Sequence, residues 1–278
     1  MKLTKPHIFE FDDYRKYLKT WYEWKKQDDP KFSHRVFCAQ AEFKSPNHLL
    51  LLIQGKRNIS LKTIIKYISA LQLKDSEAQC LETLIKFNHA TDMPTKARHL
   101  KELSAYWGKK GTFLSKEQYR CLANWYYTAI LELVNLEDFR ENETWIVRKL
   151  KNLITPVQAR KAINTLLALQ LLKRNIKGKL IRTQSYLTTG SETNSVMAFL
   201  FHEQMIKLGL EALKETSSAY RNISSLTFTV RKEDYDLVVN EINDFRYKLC
   251  SLLENRKIKN QDKYLYQFNL HLFPIGEL

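Results

Sequence analysis

The sequence is poor in the residues that punctuate loops, with 7 Gly and 6 Pro in 278 positions. That scarcity excludes a collagen-like chain, a Pro/Gly-rich disordered chain and a loop-rich sandwich, and it favours helices. Cysteine is sparse too. Cys38, Cys80, Cys121 and Cys250 lie far apart and form no C-x-x-C pair, which argues against a disulfide framework or a structural zinc site. Reduced, partly buried thiols are expected. No apolar run, Leu49 to Ile53 included, approaches the ~18 residues a membrane span needs. The opening MKLTKPHIFEFDDYRKYL lacks the apolar segment of a secretory signal. A cytoplasmic protein without membrane contact is the expectation.

Catalytic signatures are missing as well. There is no P-loop, no G-x-G-x-x-G and no G-x-S-x-G. His202-Glu203 opens like the zinc motif H-E-x-x-H, but Ile206 stands at the fifth position, so the second ligand is absent. His7, His34, His89, His99 and His271 show no ligand spacing. No enzyme activity, metal or cofactor is expected.

What the chain has is positive charge, unevenly spread. Its net charge is +15. Residues 1–110 carry +9, residues 111–190 carry +7 and residues 191–278 carry −1. A basic part joined to a neutral part points to a polyanionic partner for the basic part, and nucleic acid is the first candidate.

Helical patterns fill the basic part. Residues 9–26 place Phe11, Tyr14, Leu18 and Trp21 at helical spacing. Ser33 suits the cap of a short helix through Val36, Phe37 and Ala41. Ser45-Pro46 then reads as an N-cap and N1 proline. That opens a helix from Pro46 to Gln54, stopped by Gly55. A short helix, a tight turn at Glu42-Phe43-Lys44 and a second short helix make a helix-turn-helix pattern. Ser60 and Ser76 suit the caps of two further helices, and residues 91–111 connect to a boundary near 110.

The next part predicts a long helix over 115–136, a short one over 143–153 and a third opened by Thr155-Pro156 over 157–172. A basic hairpin follows, with Lys177-Gly178 at its turn. That order is the layout of a winged helix. Thr188-Thr189-Gly190-Ser191 marks a second boundary. Beyond it the pattern predicts a helix over 193–216, a strand over 225–230, a helix over 232–254 and a strand over 264–273. Two strands and a helix leave an apolar face hard to cover. The expectation is a sheet completed across a homodimer or against the preceding helix. The fold class is therefore mainly α with small β elements. It comprises a helix-turn-helix domain (1–110), a winged-helix-like domain (111–190) and a small α+β dimerisation or sensing domain (191–278).

In a helix-turn-helix the first turns of the second helix reach base edges and its flanks hold phosphates. Leu49, Leu50, Leu52 and Ile53 are expected on the buried side, leaving Ser45, Asn47, His48 and Leu51 toward the groove. Asn pairs with adenine in bidentate fashion, and an apolar side chain meets a thymine methyl. Gln54, Lys56, Arg57 and Asn58 follow directly and suit phosphate gripping. In the second module Gln158, Arg160, Lys161 and Asn164 are expected to be exposed, with Ala159, Ile163, Leu166 and Leu167 inward. The hairpin adds Lys173, Arg174, Lys177, Lys179 and Arg182.

Residues 32–90 resemble a bacterial family of presumed transcriptional regulators with an N-terminal helix-turn-helix and a C-terminal domain of unknown function. The likeness rests on the FSHR start, the SPNHL segment, the run Gln54-Gly55-Lys56-Arg57-Asn58 and the helix Glu82–Phe87. It continues through Leu169–Leu172, Ser224–Thr227 and Leu272–Pro274. The resemblance implies a DNA-binding regulator and lends no catalytic residue or ligand. One position departs from it: Glu42 stands where the family usually has Gly, which suits a positive φ. Glu there implies strain or a reshaped turn, and an anion near the DNA face. The expected function is a homodimeric transcriptional regulator that binds double-stranded DNA, with a protein partner or small-molecule effector conceivable at the C-terminal domain. The alternative is a protein-interaction adaptor that keeps the fold without DNA binding.

Overall fold

The computed structural model describes residues 4–106, 116–183, 191–255 and 264–277. The expected boundaries near 110 and at 188–190 fall outside the described residues. The fold is mainly helical, as expected, with one small sheet.

Six helices build the first unit: α1 (Tyr14–Asp28), α2 (His34–Gln40), α3 (His48–Ile53), α4 (Leu61–Leu71), α5 (Asp75–His89) and α6 (Met93–Leu103). Their starts follow the chemistry of orphan backbone donors. The Asp13 carboxylate accepts from the Arg15 amide at 2.7 Å, and the Asp92 carboxylate accepts from Thr95 at 2.8 Å. Ser33 Oγ accepts from Val36 at 3.3 Å. Each satisfies one N–H that the helix itself cannot. The inward faces of these helices share one core, in which Tyr14, Leu18, Phe37, Leu49, Leu52, Tyr67 and Leu84 are fully buried.

Two helix starts differ from the sequence expectation. The helix opened by Ser45-Pro46 starts two residues later, at His48, with Asn47 in the cap position and no side-chain cap bond. Ser45 contributes its carbonyl, which accepts from the His48 amide at 3.2 Å. The cap of α5 is Lys74 rather than Ser76, because Glu77 reaches back to accept from the Lys74 amide at 3.0 Å.

The second unit comprises α7 (Lys116–Ala123), α8 (Tyr126–Leu133), α9 (Glu143–Lys149), α10 (Pro156–Ala168), β1 (Leu172–Arg174) and β2 (Leu180–Arg182). The single long helix expected over 115–136 is broken at Asn124-Trp125. There the Trp125 amide donates to Gln204 Oε1 at 3.4 Å instead of to a helical carbonyl. α10 opens as the sequence predicts. Thr155 Oγ1 accepts from the Gln158 amide at 3.3 Å, Gln158 Oε1 accepts from the Thr155 amide at 2.8 Å, and proline occupies the first turn. β1 and β2 pair antiparallel, with Lys173 opposite Ile181. Asn175 Oδ1 holds the connecting turn by accepting from the amides of Lys177 and Lys179 at 2.9 and 3.0 Å. Gly178 supplies a φ of 74° there. This unit has its own core around Tyr127, Ile130, Trp145, Ile146, Ala159 and Leu166.

α11 (Ser191–Glu215) joins the two units. Val196 and Met197 enter the first core, and the Gln204 amide donates to the Ala123 carbonyl at 2.7 Å. α12 (Tyr235–Asn255) follows after an irregular segment. The strands expected over 225–230 and 264–273 do not form. Among the described residues the only ladder is that of β1 and β2. The period-2 pattern is present, but a strand exists only when a neighbour accepts its backbone bonds, and neither segment has one among the described residues.

Low glycine content has a conformational consequence. Glu42, Gln72, Lys151, Asn152 and Gln170 all have φ between 53° and 61°. They follow α2, α4, α9 and α10, where a left-handed residue lets the chain turn back. L-residues there cost about 1–2 kcal/mol each, so the scarcity of Gly reflects strained turns rather than few turns.

Candidate nucleic-acid interface

A strongly positive stretch lies where α2, α3 and α4 meet. Residues 31–74 contain eight Lys or Arg and a single carboxylate, Glu42. Two glycine-type turns shape this region. At the end of α2 the Phe43 amide donates to the Cys38 carbonyl at 2.8 Å, and the Glu42 amide donates to Ala39 at 3.1 Å, with Glu42 at φ 53°. At the end of α3 the Lys56 amide donates to the Leu51 carbonyl at 2.9 Å across Gly55, whose φ is 74°. Both are Schellman closures, one with the glycine they favour and one without it.

The turns direct the side chains. Leu49 and Leu52 point into the core, as expected, whereas Leu50, Leu51 and Ile53 are half-buried. Asn47, Gln54, Lys56, Arg57 and Asn58 are exposed, and Ser45 is half-buried. His48 is placed inward. Its ring stacks on Phe43 with centroids 4.0 Å apart and planes 7° apart, and its Nδ1 accepts from Arg57 at 3.2 Å. Burial first, and the Arg57 charge second, hold the His48 imidazole below its ordinary value. His48 therefore positions Arg57 and braces the turn, rather than projecting freely from α3.

Two residues outside the expected set join this surface. Arg15 on α1 donates through its guanidinium to Asn58 Oδ1. Lys66 on α4 donates to the Glu42 carbonyl at 2.8 Å and lies over the Phe43 ring at 5.7 Å. Neither is adjacent in sequence to the second short helix, and only the fold brings them there. Among the described residues, Arg35, Lys44, Lys56, Arg57 and Lys62 make no ion pair, and Arg35, Lys44, Lys56 and Arg57 are exposed. Their charge is thus uncompensated.

The second unit differs in this respect. Arg160 Nε pairs with Glu143 at 2.7 Å, and Arg174 forks onto both oxygens of Glu141 at 2.6 and 2.8 Å. Arg182 pairs with Glu132, and Lys149 pairs with Asp138 at 2.9 Å. Gln158 is occupied by its cap. That leaves Lys161, Asn164, Lys173, Lys177 and Lys179 exposed, and among the described residues none of the four lysines has an acidic partner. So the seventeen expected site residues fall into two groups rather than one surface. The cations near α3 are open, and three of the seven expected in the second unit are neutralised. The acids responsible, Glu132, Glu141 and Glu143, are 17 to 50 positions from their partners, so sequence spacing gives no hint of them.

No helix among the described residues is long and apolar enough to cross a membrane. The architecture defines a mainly helical protein of two small cores linked by a long helix, with its positive charge on the first two units. Residues 109–275, more than half of the chain, match the family model DUF4423, a domain of unknown function, and the chain belongs to that family. No curated protein and no solved structure matches it.

Proposed function

We propose that this chain is a transcriptional regulator that binds duplex DNA as a homodimer. In this reading α2 and α3 form a helix-turn-helix, and α3 with the following loop meets the major groove. The observation that carries it is the open positive surface around α3. Eight cations face one carboxylate in 44 consecutive residues, and the exposed Arg35, Lys44, Lys56 and Arg57 among them make no ion pair among the described residues and suit phosphate contact. Asn47, exposed at the start of α3, is the candidate for reading a base edge. Lys56, Arg57 and Arg15 flank it and grip the backbone.

The second unit is read as a winged helix, with α10 beside the hairpin. Lys161, Lys173, Lys177 and Lys179 are its available phosphate contacts. Because Arg160, Arg174 and Arg182 are already paired with carboxylates, this unit supports binding and the first unit leads it. The same pairing favours one further role, a protein contact by the second unit. The resemblance of residues 32–90 to regulators supports the reading as a whole.

The test is fluorescence anisotropy with labelled duplexes. Lys56→Glu/Arg57→Glu abolishes binding at 100 mM salt in this reading. Lys173→Glu/Lys177→Glu weakens it by a smaller factor. Wild-type affinity in the first double variant, with its fold intact by circular dichroism, overturns the assignment to α3.

A further inference from the structure

Exposed apolar side chains are concentrated at one end of the molecule. Of the twenty-eight large apolar residues exposed among the described residues, twenty-two lie between Ile206 and Ile275. No described residue beyond Met205 is buried. Nine of the twenty-two are aromatic. With about half of each ring exposed, and roughly 200 Å² per aromatic, these nine alone present on the order of 900 Å². A standard interface takes about 800 Å² from each partner.

The pattern of this surface indicates what covers it. Leu226, Phe228 and Val230 recur at every second position, as do Tyr264, Tyr266, Phe268, Leu270 and Leu272. That is the signature of strands with one buried face. Yet among the described residues no backbone–backbone hydrogen bond reaches 222–230 or 264–277. Segment 264–273 is anchored by side chains only. Phe268 meets Phe245 of α12 edge-on at 6.0 Å, and Asn269 Nδ2 donates to the Met205 carbonyl of α11 at 3.3 Å. So two apolar, strand-patterned segments lie in place with open backbone edges, a ready template for another chain.

Charge selects the chain. Residues 1–190 carry +16 and residues 191–278 carry −1. Two copies of this molecule can meet without strong repulsion only through the neutral end. Each copy brings two strand-patterned segments and one helix, too few to close a core alone. Two copies bring four segments and two helices, enough for a covered sheet.

We infer that residues 206–255 and 264–277 form half of an interwoven homodimer, in which segments 222–230 and 264–273 of both copies build one β-sheet covered by the two α12 helices. This rests on the homodimer of the preceding reading and specifies how it is built. It is independent of DNA.

The test uses the full chain without DNA, so a failure of DNA binding leaves it untouched. Sedimentation gives the assembly state, and hydrogen exchange with mass spectrometry follows peptides covering the two segments. A dimer is expected whose segment amides exchange at least ~100-fold more slowly than free peptide. Phe228→Asp and, separately, Leu270→Asp are expected to sediment as monomers with free-peptide exchange in both segments. Unchanged exchange in α1–α10 shows that these variants remain folded. A monomer at micromolar concentration overturns the inference. So does a dimer whose segments exchange at free-peptide rates, or a monomer in which they are protected, since the sheet would then be absent or internal.

Discussion

His48 lies face to face on Phe43, 4.0 Å between ring centroids, with its Nδ1 held by Arg57 at 3.2 Å. The contact ties the turn after α2 to the loop after α3. It also makes the first unit sensitive to acid. His34, His48 and His89 are all held below their ordinary value of 6.5, in each case by burial first and then by a cation, Lys26, Arg57 and Arg15 respectively. The folded chain therefore binds fewer protons than the unfolded chain just below pH 6.5. The stability from this source is complete above that pH and falls as pH drops further. The melting temperature should decline between pH 7 and 5.5. His48→Phe, which keeps the stack but cannot protonate, should show a shallower decline. An equally steep decline would remove His48 from the account.

The strained turn at Glu42 gives a second prediction. Glu42→Gly releases a left-handed L-residue at a Schellman position and should stabilise the chain by about 1 kcal/mol. Removing the single carboxylate among the cations should also tighten duplex binding. Glu42→Gln separates the effects, with tighter binding and unchanged melting temperature. Calorimetry and anisotropy on the two variants check this.

The carboxylates of the second unit define a third. Glu141 and Glu143 neutralise Arg174 and Arg160. Both pairs lie at the surface, so Glu141→Gln should leave the melting temperature nearly unchanged. Glu141→Gln/Glu143→Gln frees two guanidinium groups and should strengthen duplex binding if the hairpin faces DNA. Unchanged affinity would place the hairpin away from DNA.

The helices were legible in the sequence because their causes are local. The Thr155-Pro156 start, the stop at Gly55 and the hairpin around Gly178 each depend on a few adjacent residues, and each stands where the pattern puts it. The errors arise where the deciding partner is distant. Gln204 breaks the helix at Trp125 from 79 positions away. Glu132, Glu141 and Glu143 neutralise cations that the composition counts as free. Arg15 and Lys66 reach the α3 surface only through the fold. His48 satisfies the spacing of a groove-facing residue, but an aromatic neighbour at Phe43 draws its ring inward. The expected C-terminal strands show alternation without a ladder, because periodicity specifies which face is apolar and not which chain supplies the neighbour.

The central claim is that the open cations around α3 bind duplex DNA by sequence. The most direct measurement is selection of random and genomic duplexes by the full chain at about 50 and 200 mM salt, followed by sequencing. The account predicts enrichment of a shared motif in two half-sites, with binding that weakens steeply with salt as counterions are released. No enrichment and no retention at either salt would contradict it.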